Sequence, residues 1–356
     1  MANKHIDIAI VGGGLAGMLS AYYLADDGLK IAVFDKSRFA GESSWAGGGI
    51  LSPLYPWRYA DVINKLSFRS QQLYPALVSR LQHETGMDPE YSHCGMLVSA
   101  KDVDTQAYEW LDSNQVVYRH AVPEDYGQLS DDTEYLVFPE ICQIRNPRFT
   151  ASLKCALQQK SSVELYEHCS VNDIFFSSTG DCVVDTAQGK FTAAKVIVSA
   201  GAWSGKILGE FGYSLSIKPI RGQMLLYKTQ PGLIPSIVLA EGKYIIPRKD
   251  GHVLVGSTME DVGFNKNTTA DALANLKGFV RAYCPVLAES PLIKHWAGLR
   301  PGSTDGIPFI YRHPKQPRLF VNTGHFRNGV VMAPASAELI RELVLALVPE
   351  QPSGVV

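Results

Sequence analysis

Hydrophobic and polar residues follow two different periods at the start of the chain. Residues 6–11 form a short apolar run typical of a buried strand, residues 15–25 repeat apolar positions at helical spacing, and residues 31–34 return to a strand pattern. Gly28 is expected to end the helix between the strands, because glycine tolerates the left-handed backbone found at helix ends. The pattern predicts a β-α-β unit.

Two similar strands, residues 195–199 and 319–322, lie far along the chain, and each ends at small residues. Other β-rich segments cover residues 95–99, 135–138, 223–228, 244–247, 252–257 and 293–299. Helices are predicted over residues 62–84 and 270–283, and a last helix begins near Ala333 and Pro334. We predict an α/β fold joined to an α+β fold, in which a Rossmann-like domain is interleaved with a domain built on a large, mainly antiparallel sheet.

Composition narrows the class of protein. The chain has 356 residues and a net charge of −2, with 46% hydrophobic and 19% charged residues, so it is long enough for two domains. No basic surface is evident for nucleic acid phosphates, and no apolar run reaches the roughly 18 residues of a membrane span. The six cysteines include no Cys-x-x-Cys pair, so no zinc or other metal site is expected. We expect a cytoplasmic protein that binds neither nucleic acid nor metal and does not span a membrane.

A glycine motif follows the first strand directly. Gly12, Gly14 and Gly17 form G-x-G-x-x-G at the start of the first helix, where the three glycines allow a tight turn, close approach of a pyrophosphate, and packing of helix on strand. The helix N-terminus offers N–H groups to the anion. Asp35 ends the second strand, 21 residues beyond Gly14, at the position of an acid that binds ribose hydroxyls. Together these features predict a dinucleotide site.

A second polar and glycine-rich stretch favours FAD over NAD as the dinucleotide. Ser43 and Ser44, followed by Gly47, Gly48 and Gly49, come soon after Asp35 and are suited to run along the far phosphate and under a flavin ring. A nicotinamide enzyme has no evident need for this segment. We therefore assign residues 1–84, 142–222 and 295–349 to an FAD-binding domain, residues 85–141 and 223–294 to a substrate-binding domain, and residues 350–356 to a loose tail.

Three further motifs carry a family resemblance. They are Tyr-Ile-Ile-Pro-Arg at residues 244–248, Trp-Ala-Gly-Leu-Arg-Pro-Gly at residues 296–302 and Gly-His-Phe-Arg-Asn-Gly at residues 324–329. With the glycine motif, they make the chain resemble the D-amino acid oxidase and sarcosine oxidase superfamily, and within it the bacterial glycine oxidases associated with thiamine biosynthesis. The resemblance covers nearly the whole chain.

The resemblance implies a set of cofactor and substrate contacts. For substrate it implies Tyr244, Arg300, Arg327, Met259 and Ile50, the last standing where the best-known pattern has a methionine. For FAD, the full predicted set is Gly12, Gly14, Leu15, Ala16, Gly17, Asp35, Lys36, Ser43, Ser44, Gly48, Gly49, Ile50, Val171, Ala200, Gly201, His325, Phe326, Arg327, Asn328, Gly329, Val330 and Val331. Sarcosine oxidases tether their flavin to a cysteine near the position of Pro301, where this chain has none, so noncovalent FAD is expected.

The expected reaction is oxidative deamination of glycine or another small amino acid. Arg300 suits the substrate carboxylate because a guanidinium makes two parallel bonds to it, and Tyr244 is able to donate a further bond. Hydride passes from Cα to flavin N5, and no general base is assigned because positioning carries the step. Products are an imino acid, then a keto acid and ammonia, with hydrogen peroxide from oxygen.

Several alternatives stay open at this point. A D-amino acid or sarcosine oxidase, a dehydrogenase that passes electrons to a quinone, and a flavin-binding subunit without chemistry of its own are all compatible with the motifs. A homo-oligomer and a functional link to thiazole synthase, which would use iminoglycine for the thiazole of thiamine, are also compatible with the sequence.

Overall fold

The computed structural model of the chain describes residues 4–130, 132–177, 181–210 and 212–346. The predicted tail at residues 350–356 lies outside the described residues. The strands are β1 (Lys4–Val11), β2 (Ile31–Phe34), β3 (Ser92–His93), β4 (Met96–Ser99), β5 (Arg119–His120), β6 (Tyr135–Phe138), β7 (Cys142–Gln143), β8 (Val163–Tyr166), β9 (Val171–Phe176), β10 (Cys182–Thr186), β11 (Gly189–Val198), β12 (Ile217–Lys228), β13 (Ile237–Ala240), β14 (Lys243–Pro247), β15 (His252–Gly256), β16 (Glu260–Asp261), β17 (Leu292–Ser303), β18 (Phe309–Arg312) and β19 (Leu319–Thr323).

Ten α-helices occur among the described residues. They are α1 (Leu15–Ala25), α2 (Ser43–Ala46), α3 (Asp61–Thr85), α4 (Thr105–Ser113), α5 (Pro123–Tyr126), α6 (Asn146–Gln158), α7 (Ser204–Glu210), α8 (Ala270–Tyr283), α9 (Pro285–Ala288) and α10 (Gly329–Val344). The helices predicted over residues 62–84 and 270–283 are confirmed as α3 and α8.

The first sheet contains the predicted β-α-β unit. Its strands run in the order β18, β19, β11, β1, β2, β8, with β10 and β9 added beside β11. Strands β19, β11, β1, β2 and β8 are mutually parallel, so their carboxyl ends meet at one edge. Apolar side chains of α1, α3, α6 and α10 cover one face of this sheet and form its largest core. An apolar strand buried on both sides is typical of such a sheet.

The second sheet has nine strands in the order β16, β12, β15, β14, β13, β4, β6, β5, with β17 paired to β12. All of its pairings are antiparallel except the one between β13 and β4. The predicted fold class, with a Rossmann-like part and a mainly antiparallel sheet, is confirmed.

Two long strands of the second sheet cross the predicted domain boundaries. Strand β12 pairs with β17 along almost their whole lengths, from Ile217 opposite Ser303 to Tyr227 opposite Leu292. The predicted domain boundaries after residues 222 and 294 therefore fall inside strands. The division into two domains stays a prediction.

The predicted start of the last helix is wrong. Helix α10 begins at Gly329, and Pro334 lies inside it. Proline cannot donate to the carbonyl four residues earlier, which is that of Val330. The Tyr74 hydroxyl donates to this carbonyl at 2.5 Å, and Ser70 Oγ accepts from Ala335 N at 3.0 Å. Helix α3 thus supplies the partners that proline removes from α10.

No helix among the described residues is both long and apolar enough to cross a membrane.

Candidate active site

A cavity opens where the carboxyl ends of the parallel strands meet the second sheet. Val11, Phe34, Ser199 and Thr323 contribute from the first sheet. Gly222, Met224, Tyr244, Gly298 and Arg300 contribute from β12, β14 and β17. Ligands of open parallel sheets bind beyond the carboxyl ends of the strands, so the position is that expected of a nucleotide site.

The glycine turn leaves no room for side chains. A Cβ at Gly12 would lie 2.4 Å from the Ser199 carbonyl oxygen, and Gly12 has a φ of +114°. A Cβ at Gly17 would lie 2.0 Å from the Gly12 carbonyl oxygen, which explains why α1 packs so closely on β1. Gly14 is the N-cap of α1 and provides no side-chain cap, and Ser44 Oγ accepts from Leu15 N at 2.9 Å. The start of α1 is therefore an open anion site beside the cavity.

Asp35 connects the glycine turn to the end of β2. Its Oδ2 accepts from Gly13 N at 2.8 Å, and its Oδ1 accepts from Ser37 N at 2.8 Å and Ser37 Oγ at 3.0 Å. Burial raises the pKa of Asp35, while these bonds act in the opposite direction. The carboxylate lines the cavity at the predicted position, and it also holds the turn in shape.

Nineteen of the predicted cofactor contacts line the cavity, and three do not. Those that line it are Gly12, Gly14, Leu15, Ala16, Asp35, Lys36, Ser43, Ser44, Gly48, Gly49, Ile50, Val171, Ala200, Gly201, His325, Phe326, Arg327, Gly329 and Val330. Gly17 lies behind the turn, and Asn328, which precedes α10, and Val331, in its first turn, are buried at 3% and 1% exposure. Gly17 packs the helix on the strand, as its place in the motif predicts, and cofactor binding by the whole set stays a prediction.

Arg300 lies at the substrate end of the cavity on a floor of glycine. Because Gly222 pairs with Gly298 across β12 and β17, both share a face with Arg300. A Cβ at Gly222 would lie 2.2 Å from both terminal guanidinium nitrogens. The guanidinium donates to Ser257 Oγ at 2.6 Å and to the Thr258 carbonyl at 3.1 Å.

These two bonds occupy two of the five N–H groups of Arg300 and leave it without a carboxylate partner among the described residues. Burial lowers the pKa of Arg300, nearby Tyr244 raises it, and nearby Arg327 lowers it. The guanidinium nevertheless stays charged at neutral pH, because its unperturbed pKa lies so high. An oriented cation in a cavity without a partner acid is suited to bind a ligand carboxylate.

Tyr244, Arg327 and Ile50 complete this end of the cavity. The Tyr244 hydroxyl lies beside Arg300 and 3.7 Å from Met224 Sδ. Arg327 donates to the Gly242 carbonyl at 3.0 Å and also lacks a carboxylate partner in the part of the chain that the structure describes. Ile50, 8% exposed, is fixed by a bridge to Gln143. The structure brings together four of the five predicted substrate residues.

Met259 is the exception, and its predicted place in the pocket is wrong. Its side chain is 61% exposed and does not line the cavity. The neighbours on either side point inward, since Thr258 Oγ1 donates to Glu260 Oε1 at 2.5 Å and Glu260 receives Arg221 at 2.5 Å. With both neighbours turned in, the residue between them faces outward.

His325 is buried against the start of α10. Ser336 Oγ donates to the Met332 carbonyl at 2.8 Å, so it accepts from His325 Nε2 at 2.9 Å. Burial lowers the pKa of His325 to about 4. The imidazole is therefore neutral at pH 7, with its proton on Nε2.

Several residues of the cavity carry no signal in the sequence motifs. The ring centre of Trp203 lies 3.3 Å from Nζ of the predicted residue Lys36, and Glu42 pairs with Lys266 at 3.0 Å. Gly222 and Ser257 touch Arg300 from other strands. The contacts of Gly222 and Ser257 with Arg300 depend on cross-strand register, which local sequence patterns do not reveal. The only signal was the presence of glycines in two β-rich segments, which is typical of strands that another group approaches closely.

The cavity fits FAD. Gly12 and Gly14 line it without side chains, as a phosphate cradle requires, and the Asp35 carboxylate lines it where a ribose acceptor is predicted. The polar residues Ser43, Ser44, Ser199 and Thr323 line the same cavity and are suited to bind the polar parts of the cofactor.

Comparison with known proteins agrees with this geometry. Residues 7–343 match the family described as FAD dependent oxidoreductase. A glycine oxidase of Pseudomonas putida is 42% identical over 96% of this chain and 95% of its own. The crystal structure of glycine oxidase from Geobacillus kaustophilus superposes with a TM-score of 0.92 at 27% identity, covering 99% of this chain and 97% of that one. A bifunctional protein ThiO/ThiG of Trichormus variabilis is 31% identical over 95% of this chain but only 52% of its own length.

Proposed function

The chain belongs to the FAD-dependent oxidoreductase family, and on this premise we propose that it oxidises glycine or another small amino acid at the bond between Cα and nitrogen. Two findings support an FAD-dependent amino acid oxidase. The chain resembles the Pseudomonas glycine oxidase, and the chemistry of its cavity suits that reaction. The observation that carries the proposal is Arg300, a half-buried cation that has no partner acid among the described residues and is oriented by Ser257 and Thr258 at the end of the cavity remote from the glycine turn.

Arg300 supplies the affinity and the orientation. A substrate carboxylate placed on its remaining N–H groups forms charge-assisted bonds, and the adjacent Tyr244 hydroxyl is available as a further donor. The glycine floor at Gly222 lets the guanidinium lie flat against β12. Fixing the carboxylate in this way fixes Cα, which is the main requirement of a reaction driven by positioning.

FAD, when bound, accepts a hydride from the substrate carbon and thereby gains negative charge. The N-terminus of α10 lines the cavity at Gly329 and Val330, and its partial positive charge favours an anion there. His325 stays neutral and acts as a hydrogen-bonded support of α10 through Ser336. No residue is assigned as general base, because positioning carries the step.

The volume next to Arg300 favours a small side chain on the substrate. Ile50, Met224 and Tyr244 fill the space around the guanidinium, and each is less than 10% exposed. A screen of amino acids with peroxide detection tests this directly. Glycine and other small amino acids should give the highest kcat/KM, whereas turnover only with bulky amino acids would contradict the proposed substrate class.

Oxygen as electron acceptor is part of the proposal. Protein reduced anaerobically by glycine should regain its oxidised flavin spectrum on admission of air, with release of peroxide. If air leaves the flavin reduced and a soluble quinone restores it, the protein is a dehydrogenase. Absence of reduction by any amino acid, in protein that holds FAD, would favour a flavin-binding subunit.

A link to thiamine synthesis is proposed from the relatives. In the ThiO/ThiG protein, the part resembling this chain makes up about half of a bifunctional polypeptide. We infer that the imino acid formed from glycine is passed to a thiazole synthase. Deletion of the gene should create a requirement for thiazole, and a wild-type copy, but not one with Arg300→Lys, should remove it. Growth without thiazole in the deletion strain would contradict this link.

Noncovalent FAD, a cytoplasmic location and the two-domain division stay predictions. For the first, heat or acid should release intact FAD into the supernatant, and flavin retained by the precipitate would contradict it.

A further inference from the structure

Arg248 ends the Tyr-Ile-Ile-Pro-Arg motif and has no part in the function described so far. Its side chain is buried, with the residue 6% exposed, although it carries a full positive charge. No carboxylate within the described residues forms an ion pair with it. Burial lowers the pKa of Arg248 to about 10, which leaves the guanidinium charged at neutral pH.

The carboxylates nearest to Arg248 are paired with another cation. Glu90 and Asp250 accept from Arg145 Nη1 at 3.0 Å and 2.8 Å. Arg145 lies closer to the surface, and its charge is therefore compensated locally. The two arginines differ in this respect although they are neighbours: Arg145 has partner acids, and Arg248 has none.

Arg248 instead donates to neutral oxygens that border the cavity. It donates to Gly48 O at 2.7 Å, to Gln143 Oε1 at 2.5 Å and to Ile144 O at 3.2 Å, while its Nε has no partner. Gly48 lines the cavity and packs against Tyr244, because a Cβ there would lie 3.2 Å from the tyrosine ring. The cation thus stands one residue behind the cavity wall, at the substrate end.

An uncompensated charge is costly to bury, since carbonyl dipoles replace its hydration only in part. The cost falls when a negative charge forms nearby. Hydride transfer moves two electrons and one hydrogen nucleus from the substrate to FAD, so the substrate becomes an iminium cation and the flavin gains one negative charge. With the flavin ring over the glycine-rich stretch at Gly47, Gly48 and Gly49, as the sequence predicts, that charge would arise beside the Gly48 loop.

We propose that Arg248 is a positioning and electrostatic residue of the flavin site: it clamps the Gly48 loop and stabilises the negative charge that the flavin gains on reduction. The charge of Arg248 should therefore raise the reduction potential of bound FAD. The clamp and the charge are separate contributions, and different substitutions remove them.

Sulfite is a suitable probe because it adds to oxidised flavin and leaves a negative charge on the ring. Arg248→Gln removes the charge but keeps a polar donor, whereas Arg248→Lys keeps the charge and loses the multiple hydrogen bonds. Arg145→Gln is the matched control, because it removes the same unit charge from a more exposed arginine whose side chain does not bond the Gly48 loop. Each protein is first saturated with FAD, with the Kd for FAD measured by titration of the apoprotein.

For Arg248→Gln, the Kd for sulfite should rise on the order of tenfold, the effect of a unit charge acting over roughly 10 Å at an effective dielectric constant of about 20. Its flavin midpoint potential should become more negative. Arg248→Lys should stay within about threefold of wild type for sulfite, and Arg145→Gln should have a smaller effect than Arg248→Gln, because solvent screens the more exposed Arg145.

Wild-type sulfite affinity and potential in Arg248→Gln would overturn the proposal, and so would an equal loss in the glutamine and lysine variants, which indicates a structural role alone. If the glutamine variant does not fold, Arg248→Met in the same assays takes its place, and failure of both to fold would assign Arg248 a structural role and overturn the proposal. Because sulfite binding and potential require FAD but no amino acid, these outcomes are independent of whether glycine is the substrate.

Discussion

Alanine at position 222 tests the geometry of the carboxylate site without altering any functional group. A Cβ on residue 222 would lie 2.2 Å from both terminal nitrogens of Arg300. Ordinary contact requires about 3.5 Å, so the guanidinium has to move by roughly 1 Å. The backbone of β12 at this point accepts alanine, because Gly222 is in an extended strand. The perturbation therefore acts on Arg300.

The expected loss follows from how sensitive the reaction is to position. A displacement of about 1 Å typically costs on the order of 100-fold in rate, and kcat/KM of Gly222→Ala for glycine should fall by about 10-fold to 100-fold. Affinity for acetate, a carboxylate without an amine, should fall in parallel. FAD affinity should stay within about twofold, because the glycine turn lies at the other end of the cavity.

A matched substitution separates this effect from a general effect of alanine. A Cβ at Gly278, in α8, meets nothing within 4 Å. Gly278→Ala should keep wild-type kcat/KM and should gain stability by about 0.5–1 kcal/mol, as expected of alanine in a helix. In the Arg300→Lys background, Gly222→Ala should cost much less than it does alone. Unchanged kcat/KM and acetate affinity in Gly222→Ala would refute the account of the glycine floor.

Three further outcomes are expected. Arg300→Lys should bind FAD normally but lose at least tenfold in kcat/KM per bound flavin, because a charge-assisted bond to a desolvated carboxylate is worth about 2–5 kcal/mol. A loss confined to thermal stability would instead assign the arginine a structural role. Asp35→Ala should weaken FAD binding and lower the Tm of the apoprotein, because Gly13 N loses its hydrogen-bond acceptor. Asp35→Asn should also weaken FAD binding, with a smaller effect on Tm. Equal FAD affinity in the wild type and both variants would remove Asp35 from the site. His325 has a folded-state pKa of about 4, below its unfolded value of about 6.5, so the unfolded chain binds the extra proton. The free energy of unfolding should therefore drop by up to about 3 kcal/mol as the pH falls from 6.5 to 4. Denaturant titrations of His325→Gln should lack this drop, and an identical pH profile in both proteins would contradict the assignment.

Local patterns predicted the nucleotide side of the molecule well. The strand, glycine turn and helix at residues 6–25 are specified within a short stretch, and so is the position of Asp35 at the end of β2. Each of these depends on neighbours along the chain. Helices α3 and α8 were predictable for the same reason, since their apolar positions repeat at helical spacing.

The parts that could not be predicted depend on contacts between distant segments. Helix α10 passes through Pro334 because Tyr74 and Ser70 of α3 supply hydrogen bonds that proline removes. Met259 faces solvent because Thr258 and Glu260 bind the buried polar groups of β12. Gly222 matters because cross-strand register places it under Arg300, and no local feature reports that register.

The most direct test of the proposed function is anaerobic mixing of the purified, FAD-saturated protein with glycine, followed by the visible absorbance of the flavin. We predict that glycine bleaches the flavin in the wild-type protein, that Arg300→Lys bleaches at least tenfold more slowly at the same glycine concentration, and that ammonia is released in proportion to the flavin reduced. A flavin that remains oxidised with glycine and with every other small amino acid would contradict the account, whatever the affinity for FAD.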